Sequence, residues 1–126
     1  MAEPREVVIG LPAGLPLLSL NGRLHWAARN RIVQQLKSAA FVMARAAKAP
    51  PLQRAEVTVT YEPPDRRRRD PDNLAPTGKA AIDGLVLAGV LPDDSAAHVA
   101  GVRYQIGPPH PRGRVIIRVL EIQEQP

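Results

Sequence analysis

Apolar and polar positions recur along this chain with two different periods, and the periods divide it into strands and helices. Val57, Val59 and Tyr61 alternate with Glu56, Thr58 and Thr60, the two-residue period of a half-buried strand over Glu56–Glu62. The β-branched run Glu6–Leu11 predicts an earlier strand, closed by Pro12 and Gly14. His98–Ile106 and Gly113–Ile122 predict two more, joined by a proline-rich, hairpin-like loop over Gly107–Arg112. Val33, Leu36, Ala40, Met43 and Ala47 recur at helical spacing, so Ala27–Ala49 reads as a helix that Pro50-Pro51 stops. Ile82, Leu85 and Val86 form the apolar face of a second helix over Thr77–Ala88, with Gly89 just past its end. Leu15–Trp26 reads as an ordered but irregular segment containing the turn signal Asn21-Gly22, and Pro63–Pro76 as a loop rich in charge and proline. The order strand, helix, strand, helix, strand, strand predicts an α+β fold: one mixed sheet of about four strands with two helices packed on it.

At 126 residues the chain reads as a single domain over 1–126, long enough to bury roughly two-thirds of its unfolded surface. The formal net charge of +5 and a pI near 10.4 point to a polyanionic partner and say nothing about fold. Fourteen arginines stand against three lysines, which favours planar, bidentate phosphate contacts, although a GC-rich coding sequence inflates Arg, Ala, Pro and Gly together. Cysteine is absent, which excludes disulfides and thiolate metal sites. The start, Met1 to Glu6, is charged and runs into a short apolar stretch broken by Pro12 and Pro16, unlike a signal peptide. With no segment of membrane-spanning length, the expected location is the cytoplasm, where nucleic acid lies.

The chemistry concentrates between Asp65 and Asp94. Four consecutive arginines, Arg66 to Arg69, run into Asp70-Pro71-Asp72-Asn73, and Lys79, Asp83 and the pair Asp93-Asp94 follow. Carboxylates gather hard divalent cations and arginines gather phosphates, so this mixture suits placing a metal against a phosphodiester. Asp70 precedes proline and is steered towards extended backbone, where side chains two apart share a face, so Asp70 and Asp72 are expected side by side. The same tetrapeptide is also ordinary turn chemistry. One of Asp93 and Asp94 is expected to close the site after the second helix returns towards the sheet edge. Asp83, four residues after Lys79, suits a surface ion pair, while Lys79 near the helix start stands against the helix dipole. Of Arg66, Arg67, Arg68 and Arg69, two are expected to reach nucleic acid and the others to pair with Asp65 or Glu62. Asn21, Arg23, His25, Arg29 and Arg31 form a second basic group suited to backbone phosphates; the alternative is a solvated helix start with Leu24 and Trp26 in the core. The three histidines lack metal-ligand spacing, and few exposed aromatics are expected, which argues against base stacking.

The run Asp65-Arg66-Arg67-Arg68-Arg69-Asp70-Pro71-Asp72-Asn73-Leu74, then Lys79-Ala80-Ala81-Ile82-Asp83-Gly84-Leu85, Ala88-Gly89-Val90 and Asp93-Asp94, resembles the RusA family of Holliday junction resolvases. The match is dense from Tyr61 to Val99 and looser over Asn21–Ala49. The resemblance implies a small homodimeric endonuclease that uses Mg²⁺, with Mn²⁺ as a substitute, to nick two opposed strands of a four-way DNA junction. It implies Asp70, Asp72 and Asp94 as the metal-binding catalytic acids, Lys79 as the essential basic residue, and Arg69 with its neighbours on DNA. No small-molecule cofactor and no membrane contact are implied. Ala75-Pro76-Thr77-Gly78 sets Lys79 further past Asn73 than the family pattern, and an extra bend there is expected to return Lys79 to the site. The residues also leave open a nuclease for forked or flapped DNA and a non-catalytic, basic junction-binding protein.

Overall fold

The computed structural model describes residues 3–20 and 22–123. It contains strands β1 (Glu6–Gly10), β2 (Ala55–Glu62), β3 (Val99–Ile106) and β4 (Arg114–Glu121), and helices α1 (Trp26–Ala46) and α2 (Ala75–Leu87). The four strands form one mixed sheet in the order β1-β4-β2-β3. Strand β4 is antiparallel to both β1 and β2, while β2 and β3 run parallel and are connected through α2. The α+β class with four strands and two helices is therefore as the periodicity predicts.

One face of the sheet is apolar because the strands alternate. Val7, Ile9, Val57, Val59, Val115, Ile117 and Val119 are all buried. Against them pack Leu36, Ala40 and Ala44 of α1 and Ala80, Ala81 and Leu85 of α2, completing one core. The other sheet face, with Glu6, Glu56, Arg103 and Arg118, is solvated. On α1 the buried stripe runs through Ala44, and the expected Ala47 is exposed, because the helix has already ended there.

Both helices close with the same device. Lys48 takes a left-handed φ of 53°, and the N–H groups of Lys48 and Ala49 return to the carbonyls of Arg45 and Ala44. Gly89, at φ 84°, repeats this for α2, with Gly89 and Val90 bonded to Val86 and Leu85. Helical geometry in α1 thus stops three residues short of the predicted Ala49.

Two expectations about connections are corrected. Strands β3 and β4 do not form a hairpin; β2 lies between them. The loop after β3 crosses the end of β2 instead, where Gly107 N–H donates to the Tyr61 carbonyl at 2.8 Å and His110 N–H to that of Pro63 at 2.8 Å. With β4 on one side of β2 and β3 on the other, β3 and β4 are not neighbours and do not pair. Nor do Ala75–Gly78 form a bend. A 3-10 turn, Pro71–Leu74, runs straight into α2, and Ala75–Gly78 are its first turn. Pro76 in that turn needs no N–H partner, so proline starts this helix instead of delaying it.

Candidate active site

Strand β2 ends in Tyr61 and Glu62, and the chain then leaves the sheet through the buried Pro63. Glu62 pairs with Arg114 of β4 and so takes no part in the arginine run. Asp65 does. Its carboxylate accepts the Arg67 N–H at 3.0 Å and pairs with the Arg69 guanidinium at 2.9 Å. Arg69 also donates to the carbonyls of Asp65 and Arg67, both at 3.1 Å, and lies over the Tyr61 ring at 5.8 Å. With its side chain only 16% exposed, Arg69 braces the loop from inside. These contacts hold the Asp65 carboxyl at a pKa of about 2, the Arg67 backbone donor contributing most and the Arg69 side chain next. Arg66 and Arg68 are exposed, and Arg67, although bonded to Asp65, is 78% exposed.

Asp70 has the extended backbone its following proline imposes, at φ −98° and ψ 118°. It does not continue as an extended pair with Asp72, because Asp72 already belongs to the 3-10 turn that Asp70 caps. The Asp72 N–H points at Asp70 Oδ1 at 3.4 Å, and the Asn73 N–H donates to the Asp70 carbonyl at 3.1 Å. The turn chemistry and the extended Asp70 therefore coexist one residue apart. Asp70 also lines a cleft of about 480 Å³ with Leu17, Leu18, Tyr61, Arg68 and Leu74.

Helix α2 carries Lys79 and Asp83 on its exposed side, joined at 2.8 Å as their spacing predicts. Lys79 also bonds Asp94 from the loop after α2, while the neighbouring Asp93 accepts the Asp94 N–H at 2.8 Å. The Asp pair thus divides its roles: Asp93 shapes the loop and Asp94 meets the lysine. Asp83 and then Asp94 raise the Lys79 pKa, and Lys79 in turn lowers that of Asp94. Among the described residues, no three acidic or histidine side chains stand close enough together to hold one ion. The donor chemistry of Asp70, Asp72 and Asp94, all hard carboxylate oxygens, is nevertheless what Mg²⁺ takes, and Mg²⁺ commonly binds through only one or two of them.

The second basic group is placed at the start of α1. His25 caps that helix, its Nδ1 accepting the Ala27 N–H at 3.2 Å, and Arg23, Arg29 and Arg31 are exposed. Asn21 lies outside the described residues. Leu24 and Trp26 are not in the core: they are 50% and 74% exposed, and Trp26 is the one tryptophan, tyrosine or phenylalanine side chain exposed among the described residues. The core is made instead of small and branched residues of the sheet and both helices.

The residue pattern alone misses Thr77. Fully buried, its hydroxyl accepts the Leu18 N–H at 2.9 Å and donates to the Leu18 carbonyl at 3.2 Å. It pins the irregular arm that forms one wall of the cleft to the first turn of α2. A threonine on the apolar side of a helix is the available signal, since a buried hydroxyl needs partners.

No family model matches this sequence. An uncharacterized protein of Xylella fastidiosa is 32% identical over 113 residues, which span 86% of this chain and 72% of that protein. With that identity and coverage, the chain belongs to the same family as the Xylella protein.

Proposed function

We propose that the chain is a structure-specific endodeoxyribonuclease of the RusA kind, which nicks four-way DNA junctions symmetrically as a Mg²⁺-dependent homodimer. The observation that carries this reading is the pairing of Lys79 on α2 with Asp94 from the loop after that helix, while the 3-10 turn that Asp70 caps and that contains Asp72 runs into the start of the same helix. Of Asp70, Asp72 and Asp94, the carboxylates the resemblance implies, one or two would hold the ion. When bound, Mg²⁺ supplies Lewis acidity towards a phosphate oxygen and lowers the pKa of a coordinated water.

The chain's own groups do the rest. Lys79 keeps its proton because two carboxylates share it, so it acts as a fixed cation and not as a base. Exchanged from Asp94 to the scissile phosphate, its ammonium neutralises charge building there and frees the Asp94 carboxylate for the ion. The exposed Arg66, Arg67 and Arg68 grip phosphates and set register by backbone geometry, while Arg69 keeps that loop in shape. Two such sites on one two-fold axis match the near-symmetry of a junction.

A labelled four-way junction incubated with Mg²⁺, with EDTA and with Asp72→Asn protein tests this. Paired symmetric nicks in the first case alone are expected. A forked or flapped substrate cut in preference would move the reading to another branched-DNA nuclease. Asp70 capping a turn and Asp94 pairing with Lys79 also suit a second reading, a non-catalytic junction-binding protein with structural acids. That protein would bind junctions without nicking them, and Asp72→Asn would change nothing.

A further inference from the structure

Trp26 is the chain's sole tryptophan, and it stands at the first position of α1 with 74% of its surface in solvent. Leu24, two residues before it, is also 50% exposed. The His25 ring lies 5.6 Å away, tilted by 34°, and is itself tied to the Ala27 N–H as the helix cap. The indole therefore projects into solvent from a fixed helix start. A tryptophan left in solvent presents a large flat apolar face with a polar N–H, the kind of ring found where something binds.

The charge around the ring selects the occupant. Seven basic residues and no Asp or Glu lie between Glu6 and Glu56. Arg23 and Arg29 stand three residues before and three residues after Trp26, and both are exposed. A second copy docked face to face would set these arginines against their own counterparts without a carboxylate from this segment to relieve them. A polyanion with exposed flat faces meets both needs: an aromatic stacks any base, and arginines take the adjoining phosphates.

We infer that Trp26 is a stacking face for an unpaired nucleobase, and that Arg23 and Arg29 hold the flanking phosphates. This rests on the reading of the chain as a DNA-acting protein, but not on its chemistry. It assigns the arm before α1 to bases opened at a branch point and leaves cleavage to the Asp70–Asp94 region. Paired bases in a duplex offer no free face, so the preference is for single-stranded or opened DNA.

The sole tryptophan reports on its own site. Full-length protein titrated with a short single strand, or with a junction carrying unpaired bases at the crossover, should lose indole fluorescence as stacking occurs. A blunt duplex bound to the same extent, followed by anisotropy of a labelled strand, should quench it far less. Trp26→Ala should weaken binding to unpaired DNA about tenfold and to duplex less than about twofold, and Trp26→Phe should recover most of the loss. Unchanged fluorescence while anisotropy reports saturation overturns the inference, as does emission that shifts with protein concentration alone. Junction cleavage without any quenching would remove the stacking face and leave the nuclease. Quenching by unpaired DNA without Mg²⁺-dependent cleavage would do the reverse.

Discussion

Lys79 joins two carboxylates, and the directions of their titration define when that junction holds. Its own pKa is raised, chiefly by Asp83 and then by Asp94, so its contribution to the fold is complete below the ordinary lysine value of 10.5. It is lost as pH rises through the higher folded value. The Asp94 pKa is lowered by Lys79, so that carboxylate contributes above its ordinary 3.8 and loses its share as pH falls through the depressed value. Both groups are charged throughout the neutral range, and an alkaline limb in a cleavage profile below about pH 10 should not belong to Lys79. Lys79→Gln should raise the Asp94 pKa, read from its carboxyl carbon by NMR titration, and lower junction cleavage by about a hundredfold or more. An unmoved Asp94 titration would remove the ion pair from the solution state. Asp65 gives an independent check on the arginine loop. Its carboxyl, held at about 2, should contribute fully above 3.8 and fail only as pH falls through about 2. Arg69→Ala removes a major cause, so Asp65 should then titrate measurably closer to its ordinary value, and proteases should cut the 64–70 segment faster.

At the scale of elements, the contact between α1 and α2 positions Lys79, and a glycine makes it possible. A Cβ at Gly84 would lie 2.2 Å from the Lys37 carbonyl oxygen and 2.9 Å from Ala40 Cβ. Alanine normally stabilises a helix interior by about 1 kcal/mol over glycine. Here the collision with backbone wins, and Gly84→Ala should destabilise the fold by about 1–3 kcal/mol, seen as a lower midpoint in urea. Thr77→Val keeps volume but removes both bonds to Leu18, and should cost about 1–3 kcal/mol while loosening the arm that walls the cleft. Hydrogen exchange at Leu18 reads that loosening directly. These two positions mark where sequence periodicity stops being informative. Strands β2 and β4 and both helices are legible because a buried face repeats at a fixed period. The pairing of β3 is not, because alternation says which face is buried and nothing about which neighbour is beside it. Asp94 over Asp93 is what the family resemblance implies, and the fold gives the two different partners: Asp94 meets Lys79, while Asp93 accepts the Asp94 N–H. Trp26 defeats the hydrophobicity rule because large apolar residues are only usually inside.

For the whole molecule the distribution of charge matters more than its total. A net charge of +5 would be unremarkable if spread evenly, but the basic residues gather in the segment before β2 and in the loop after it. Binding driven by such clusters releases counterions, so affinity for DNA should fall linearly on a log–log plot against salt, with a slope of about −0.9 per phosphate contact. The structure separates arginines that can contribute to that slope from one that is already spent. Arg66 and Arg68 are exposed, whereas Arg69 is mostly buried and compensated by Asp65. Replacing Arg66 and Arg68 together with alanine should therefore flatten the slope by about two units, with little change in thermal stability. Arg69→Ala should leave the slope nearly intact, because the charge it removes was not released to phosphate. It should instead lower affinity at every salt concentration, by disordering the loop that presents its neighbours. Fluorescence anisotropy of a labelled junction between about 50 and 200 mM salt distinguishes the two patterns. Equal flattening by both variants would mean that Arg69 leaves Asp65 for the DNA, and that the loop is rebuilt on binding.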